Sequence, residues 1–322
     1  MLAAYAARVS ADDPLSALEV GERPEPEKRD GWTTVTVKAA SLNHHDLFAL
    51  RGVALSADQT PMILGGDAAG IDENGNEVVV HSVIGDPDAG GGDETLDPRR
   101  SLLSERYDGT LAELVSVPRR NLVPKPAELS FEQAACLPTA WLTAYKMLFS
   151  RAGVRPGDTV LVQGAGGGVA TAAIALGRAA GLRVWATSRH ESKRARAVEL
   201  GADEVFESGA KLPGKVDAVL ESVGAATWQH SLRSVRPGGR IVVCGATSGY
   251  TVETDLPRVF FTQVDILGST MGTRGELASL LAFLAGSGAR PVIDSTFPLA
   301  DARAGFARLL EDGLFGKVVL VP

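Results

Sequence analysis

The sequence predicts an α/β protein in which a β-rich region precedes a doubly wound parallel sheet. Three observations predict this. From about residue 125, strand-like apolar runs alternate with helical patterns, which makes a parallel sheet covered on both faces. The strand Thr159-Val160-Leu161-Val162 runs into a glycine-rich turn and then a helix. The region before residue 120 reads instead as short strands and loops. A length of 322 residues gives about two domains at ~150 residues each.

Composition narrows the function classes. Hydrophobic residues make up 45% and charged residues 22% of the chain, enough to bury a core. A formal net charge of -7 repels phosphate backbones and argues against nucleic-acid binding. The two cysteines, Cys136 and Cys244, leave no disulfide framework or Cys-cluster metal site. No apolar run approaches the ~20 residues of a membrane helix. The N-terminus has no basic region followed by an apolar stretch. The expectation is a cytoplasmic protein with small-molecule partners, no nucleic acid and no membrane.

Trp32–Ala39 alternates with period two as a half-buried strand, and Glu77–Ile84 is a second strand. Residues 85–106 are polar and rich in Gly, Asp and Pro, and read as a long surface loop. After Thr159–Val162 come a helix over 168–180, a strand over 183–187 and a helix over 191–200. Val216–Leu220, Ile241–Cys244 and Val264–Leu267 continue the strand series. The tail gives a helix over 276–285, a strand at Pro291-Val292-Ile293, another helix and a final strand over 317–321.

The strongest chemical signal is Gln163-Gly164-Ala165-Gly166-Gly167-Gly168-Val169 between strand and helix. Glycines permit a tight turn and close approach of a pyrophosphate, and the helix N-terminus supplies free N–H donors and partial positive charge. A flexible loop would need neither the strand before it nor the helix after it. Residues Gly164, Gly166, Gly167, Gly168 and Val169 are therefore assigned to a dinucleotide. The next strand ends in Thr187-Ser188-Arg189-His190, with Lys193 one turn into the helix and no carboxylate at the tip. A free ribose 2′-OH calls for an acid there. Ser188, Arg189 and Lys193 suit a 2′-phosphate instead, so the cofactor is read as NADPH. Ligands of such sheets sit beyond the carboxyl ends of the strands, which adds Ser222, Val223, Gly245, Ala246, Thr247, Ser269, Thr270 and Met271.

Taken together, Asn43-His44-His45-Asp46, Gly65-Gly66-Asp67-Ala68-Ala69-Gly70, Leu142-Thr143-Ala144-Tyr145, the cradle, Leu200-Gly201-Ala202-Asp203, Arg236-Pro237-Gly238-Gly239 and Gly316-Lys317-Val318-Val319 resemble the medium-chain dehydrogenase/reductase superfamily. Within it the likeness is to the zinc-free quinone oxidoreductase and enoyl reductase branch. The resemblance implies a Rossmann domain over 125–271, inserted in a GroES-like β-rich catalytic domain formed by 1–124 and 272–322. Zinc relatives hold their metal with a Cys, a His and a Cys; the matching positions here are Asn43, Gly66 and about Thr139. Those residues do not supply the three ligands a catalytic zinc needs, and 85–106 has no Cys for a structural lobe. No metal is expected.

Without zinc, the resemblance implies hydride transfer from NADPH to a quinone or to the C=C bond of an α,β-unsaturated carbonyl, with charge collecting on the carbonyl oxygen. The Tyr that family members often carry after the Asn-x-x-Asp segment is Phe48 here. His45 is carried over as the donor to the developing enolate, with water as the other source of that proton. Asn43 would orient nicotinamide or its ribose, and Asp46 would brace the segment. His44, Thr139, Thr143 and Lys317 are carried over to the cofactor side. The divergent roles of His44 and His45 assume an extended segment in which neighbours point to opposite sides. The family also pairs the strand over 264–268 with its twin, which implies a homodimer. The other readings are an alcohol dehydrogenase or carbonyl reductase of the same superfamily, and a non-catalytic NADPH-binding sensor.

Overall fold

The structure is a computed structural model that describes all 322 residues. The chain forms two compact units. One comprises Met1–Leu142, Met271–Gly286 and Ile293–Pro322; the other comprises Thr143–Thr270 and Ser287–Val292.

The first unit is built on a seven-stranded sheet. Its path runs Leu122–Pro124, Glu77–Val80, Asp67–Asp72, Trp32–Ser41, Lys317–Val321, Ile293–Pro298, and Leu114–Pro118 also pairs with Trp32–Ser41. Residues of Trp32–Ser41 alternate between sheltered and open positions until the strand is covered at its end. There Ser41 pairs with Asp67 on one side and Val319 on the other. Val35, Val37, Leu42, Leu50, Val117, Phe306, Val318 and Leu320 form one buried core; each large side chain contributes about 1.5–3 kcal/mol on burial. No helix is long and apolar enough to cross a membrane.

This unit differs from the expected 1–124 boundary because the helix Phe131–Ala135 packs on its sheet: Ala135 O accepts from Ser41 Oγ at 3.0 Å. The expected strand 77–84 breaks into Glu77–Val80 and Val83–Ile84. His81 N instead donates to Asn121 O. The 85–106 segment carries a short 3-10 turn at Glu94–Leu96, and Ser101–Leu102 pairs with Val83–Ile84. The strand read at 291–293 lies at Ile293–Pro298, where parallel pairing with the last strand holds it.

The second unit is a six-stranded parallel sheet, ordered Glu204–Phe206, Arg183–Thr187, Thr159–Val162, Val216–Glu221, Val235–Val243, Asp265–Gly268. The order reverses beside Thr159–Val162, which creates a crevice at the carboxyl ends of the strands. The strand expected at Ile241–Cys244 starts earlier, at Val235; a register shift opposite Val216 and Ala218 admits Pro237 and the left-handed Gly238. The helix Gly168–Ala179 lies so close to the sheet that a Cβ at Gly177 would sit 2.8 Å from Val184 Cγ2.

Candidate active site

In the first unit, Asn43-His44-His45-Asp46 is not extended. Asn43 is extended (φ -130°) but caps a helix over His44–Leu50. Asp46 Oδ2 accepts from Asn43 N at 2.8 Å, which satisfies a donor that the first helical turn leaves free. Consecutive helical side chains diverge by ~100° rather than ~180°. The expected opposition of His44 and His45 is thereby corrected to divergence around a helix start. His44 is exposed; its pKa is lowered by desolvation, then by the Lys317 and Arg51 cations. Phe48 is half-buried on the same helix.

A buried polar cluster underlies this helix start. Asp67 Oδ2 accepts from Ser41 Oγ at 2.8 Å, Asn43 Nδ2 at 2.8 Å and Lys317 Nζ at 3.1 Å. Lys317 Nζ also donates to Leu42 O at 2.7 Å and Asn43 Oδ1 at 2.6 Å. All three ammonium hydrogens are thus spent inside this unit, and Lys317 acts on the site by holding Asn43. Asp46 is fully buried, its second oxygen has no partner, and burial pushes its pKa up to about 6.

His45 Nε2 lies 3.2 Å from Glu105 Oε1, with both side chains about a quarter exposed, 25% and 22%. Glu105 Oε2 accepts from Leu102 N at 2.9 Å. Desolvation lowers the His45 pKa, but the hydrogen bond to Glu105 and the charges of Asp46, Glu105 and Asp67 outweigh it, and the net direction is up. Nothing local in the sequence marks Glu105 as the partner of His45.

The family's zinc positions do not fit a metal. A Cβ on Gly66 would lie 2.7 Å from Ser82 Oγ and 3.6 Å from Thr139 Oγ1. Asn43 is committed to Asp67 and Lys317. No three His, Cys, Asp or Glu side chains converge as metal ligands.

In the second unit the glycine-rich turn leads directly into the helix. Gly164 (φ 74°) and Gly166 (φ 136°) occupy left-handed conformations that favour glycine. Gly167 is the N-cap, without a side-chain cap, and a Cβ there would meet nothing within 4 Å. Open space before uncapped N–H groups fits a pyrophosphate. A buried network missed in the sequence fixes the turn. Gln163 Nε2 donates to His230 Nδ1 at 2.9 Å and Ser231 Oγ at 3.0 Å; Gln163 Oε1 accepts from Thr187 Oγ1 at 2.6 Å. Gly164 N in turn donates to Thr187 Oγ1. Glu221, fully buried, accepts from Val223 N, Gly224 N and Ser231 Oγ at 2.8, 3.0 and 2.6 Å. One network therefore joins the ends of three strands.

The remaining strand ends are placed as follows. Thr247 N donates to Ser222 O and Ser248 N to Val223 O, tying 222–223 to 246–248. A Cβ on Gly245 would lie 3.2 Å from Ser222 O. Ser269 N donates to Val243 O, and its buried Oγ has no partner. Thr270 is exposed; Met271 is buried and left-handed (φ 45°) and belongs to the first unit. Thr143, buried, opens the second unit, whereas half-buried Thr139 lies in the first. At the tip of Arg183–Thr187, Ser188 is buried with its Oγ accepting from His190 N, and Arg189 is exposed. Lys193 is half-buried one turn on, and Arg194, unforeseen, donates to Ser188 O at 2.8 Å.

Fold and cradle together define a dinucleotide-dependent oxidoreductase. Residues 29–127 match the model of the alcohol dehydrogenase GroES-like domain, and residues 168–286 that of the zinc-binding dehydrogenases. The chain is 32% identical to the acryloyl-coenzyme A reductase of Metallosphaera sedula over 94% of its own length and 96% of the relative's. Among solved structures it resembles an NAD-dependent alcohol dehydrogenase, at 36% identity and a TM-score of 0.91 over 100% of both chains. It also resembles the 2-octenoyl-CoA carboxylase reductase CinF in complex with NADP and 2-octenoyl-CoA, at 28% identity and a TM-score of 0.92 over 99% of this chain and 87% of that one. The chain belongs to the medium-chain dehydrogenase/reductase superfamily.

Proposed function

We propose that this protein is an NADPH-dependent reductase of the C=C bond of an α,β-unsaturated carbonyl, with enoyl thioesters ahead of quinones as substrates. The observation that carries the reading is the donor set: Asn43, Gly66 and Thr139 stand at the positions where zinc relatives carry their metal ligands, and the titratable His45 lies two residues after Asn43. An activated alkene needs no Lewis acid, because its own carbonyl takes up the charge. The named activities of the Metallosphaera and CinF relatives support an enoyl thioester.

Bound NADPH supplies the hydride. The open turn at Gly164, Gly166, Gly167 and Gly168 and the N–H groups from Val169 onward would hold its pyrophosphate. Ser188, Arg189, Lys193 and Arg194 would surround the 2′-phosphate. The loops at Ser222-Val223 and Gly245-Ala246-Thr247, with Ser269, would line the nicotinamide half. Asn43, held by Lys317 and Asp67, presents a fixed amide, and His45 supplies the proton.

A second reading, alcohol or carbonyl oxidoreduction, is favoured by the NAD-dependent alcohol dehydrogenase likeness. The test is NADPH and NADH oxidation with crotonyl-CoA, an enone, a quinone and an aldehyde, before and after exhaustive chelation. The reading expects crotonyl-CoA turnover with NADPH that survives chelation. Aldehyde turnover restored only by zinc favours the second reading, and NADPH binding without any turnover favours a sensor.

The homodimer belongs to the same reading. Ile266 in the edge strand is 41% exposed, and nearby Phe260 and Phe261 are 59% and 79% exposed. An apolar open edge is a pairing site. Sedimentation of wild type and Ile266→Lys tests it: the variant should be monomeric, and a monomeric wild type contradicts the assembly.

A further inference from the structure

We infer that Glu105 is a positioning residue that sets both the tautomer and the charge of His45, and that His45 Nδ1 is the atom that releases the proton. This rests on the reductase reading above. Glu105 Oε1 lies 3.2 Å from His45 Nε2, and a carboxylate only accepts. Nε2 therefore carries a hydrogen, and Nδ1 is the nitrogen left to exchange a proton.

The carboxylate is fixed from its own side. Leu102 N donates to Oε2 at 2.9 Å, Ser101 Oγ lies 3.5 Å from the same oxygen, and Gln59 Nε2 donates to Glu105 O at 2.8 Å. Ser104, just before it, is left-handed at φ 70°, a conformation that costs about 1–3 kcal/mol in a non-glycine residue. The turn therefore aims Glu105 and leaves Oε1 for the imidazole. The other charges facing His45 are Asp46 on its own helix and Asp67 on the adjoining sheet, both acidic and both favouring imidazolium. Side-chain exposures of 25% and 22% leave the pair reachable.

The step balances as follows. With NADPH bound, its hydride would form the new C–H bond at the β-carbon, leaving NADP⁺. The alkene π pair moves toward the carbonyl as an enolate. The Nδ1–H bond of the imidazolium breaks, its proton goes to the enolate, and neutral His45 keeps the Nε2 hydrogen on Glu105. Water restores the second proton.

The experiment compares wild type, Glu105→Gln and His45→Ala. It uses kcat and KM for crotonyl-CoA against pH, and an NMR titration of the labelled His45 ring. Gln keeps the acceptor oxygen but removes the charge. Expected are a lower His45 titration midpoint in Glu105→Gln, a basic limb of kcat displaced to lower pH with little change in KM, and a loss of roughly 100- to 10,000-fold in His45→Ala. An unchanged His45 midpoint in Glu105→Gln, or a loss of kcat equal at every pH, overturns the assignment. The NMR arm needs no turnover. A midpoint shift with no reduction of any enoyl substrate therefore sinks the reductase reading and the proton step with it, while sustaining the pairing.

Discussion

Lys317, in the last strand, donates to Asp67 Oδ2 at 3.1 Å, and both side chains are almost wholly buried. The chain must return across 250 residues to make this pair. Breaking a buried ion pair from one side strands the other charge and costs about 3–5 kcal/mol. Lys317→Met should lose about that much in denaturant unfolding, and Asp67→Asn added to it should recover part. A loss below about 1 kcal/mol, typical of exposed pairs, would contradict the burial argument.

Asp46 gives a pH-dependent stability of defined sign. Its pKa rises from 3.8 to about 6, chiefly through burial. The folded state then holds the proton more tightly than the unfolded chain, so this group makes stability fall as pH rises between 3.8 and about 6. Asp46→Asn keeps an acceptor for Asn43 N and removes the ionisation. The melting temperature of the variant relative to wild type should therefore increase across that interval and level off above it. A difference independent of pH would show that burial does not raise the Asp46 pKa in the folded protein.

Arg189→Ala should weaken NADPH and leave NADH nearly unchanged. A hydrogen bond to a charged group contributes about 1.5–3 kcal/mol, or roughly 10- to 100-fold in Kd. Fluorescence titration with each cofactor reads this directly. Equal losses for the two cofactors would remove Arg189 from the 2′-phosphate.

Both thiols should be inert in the native protein. Burial pushes Cys136 and Cys244 up to about 12 each, and the thiolate is the reactive form. A disulfide reagent near pH 8 should label neither until denaturant is added. Rapid labelling of one thiol in the native state would place it in a more polar setting.

Much of the second unit was legible because its signals are local. Thr159–Val162, Arg183–Thr187 and Glu191–Leu200 lie where apolar runs and helical spacing put them, as does Lys317–Val321 in the first unit. The turn from Gly164 to Gly168 is also local, since it needs only a strand before it and a helix after it. The helix at His44 departs from the extended segment expected there, although Asn43 and Asp46 stand three apart, the spacing of a helix cap.

Residue types at short, fixed spacing carry the α/β class, the glycine-rich turn between strand and helix, and the absence of Cys and His at positions 43, 66 and 139. Tertiary structure alone decided that Lys317 is spent on Asp67 and Asn43, that Glu105 meets His45, and that Gln163, Thr187, Glu221 and Ser231 form one network. These partners are separated by 10 to 274 residues of chain. No periodicity encodes such meetings. They arise because buried polar groups must find hydrogen-bond partners wherever the packed strands bring them together.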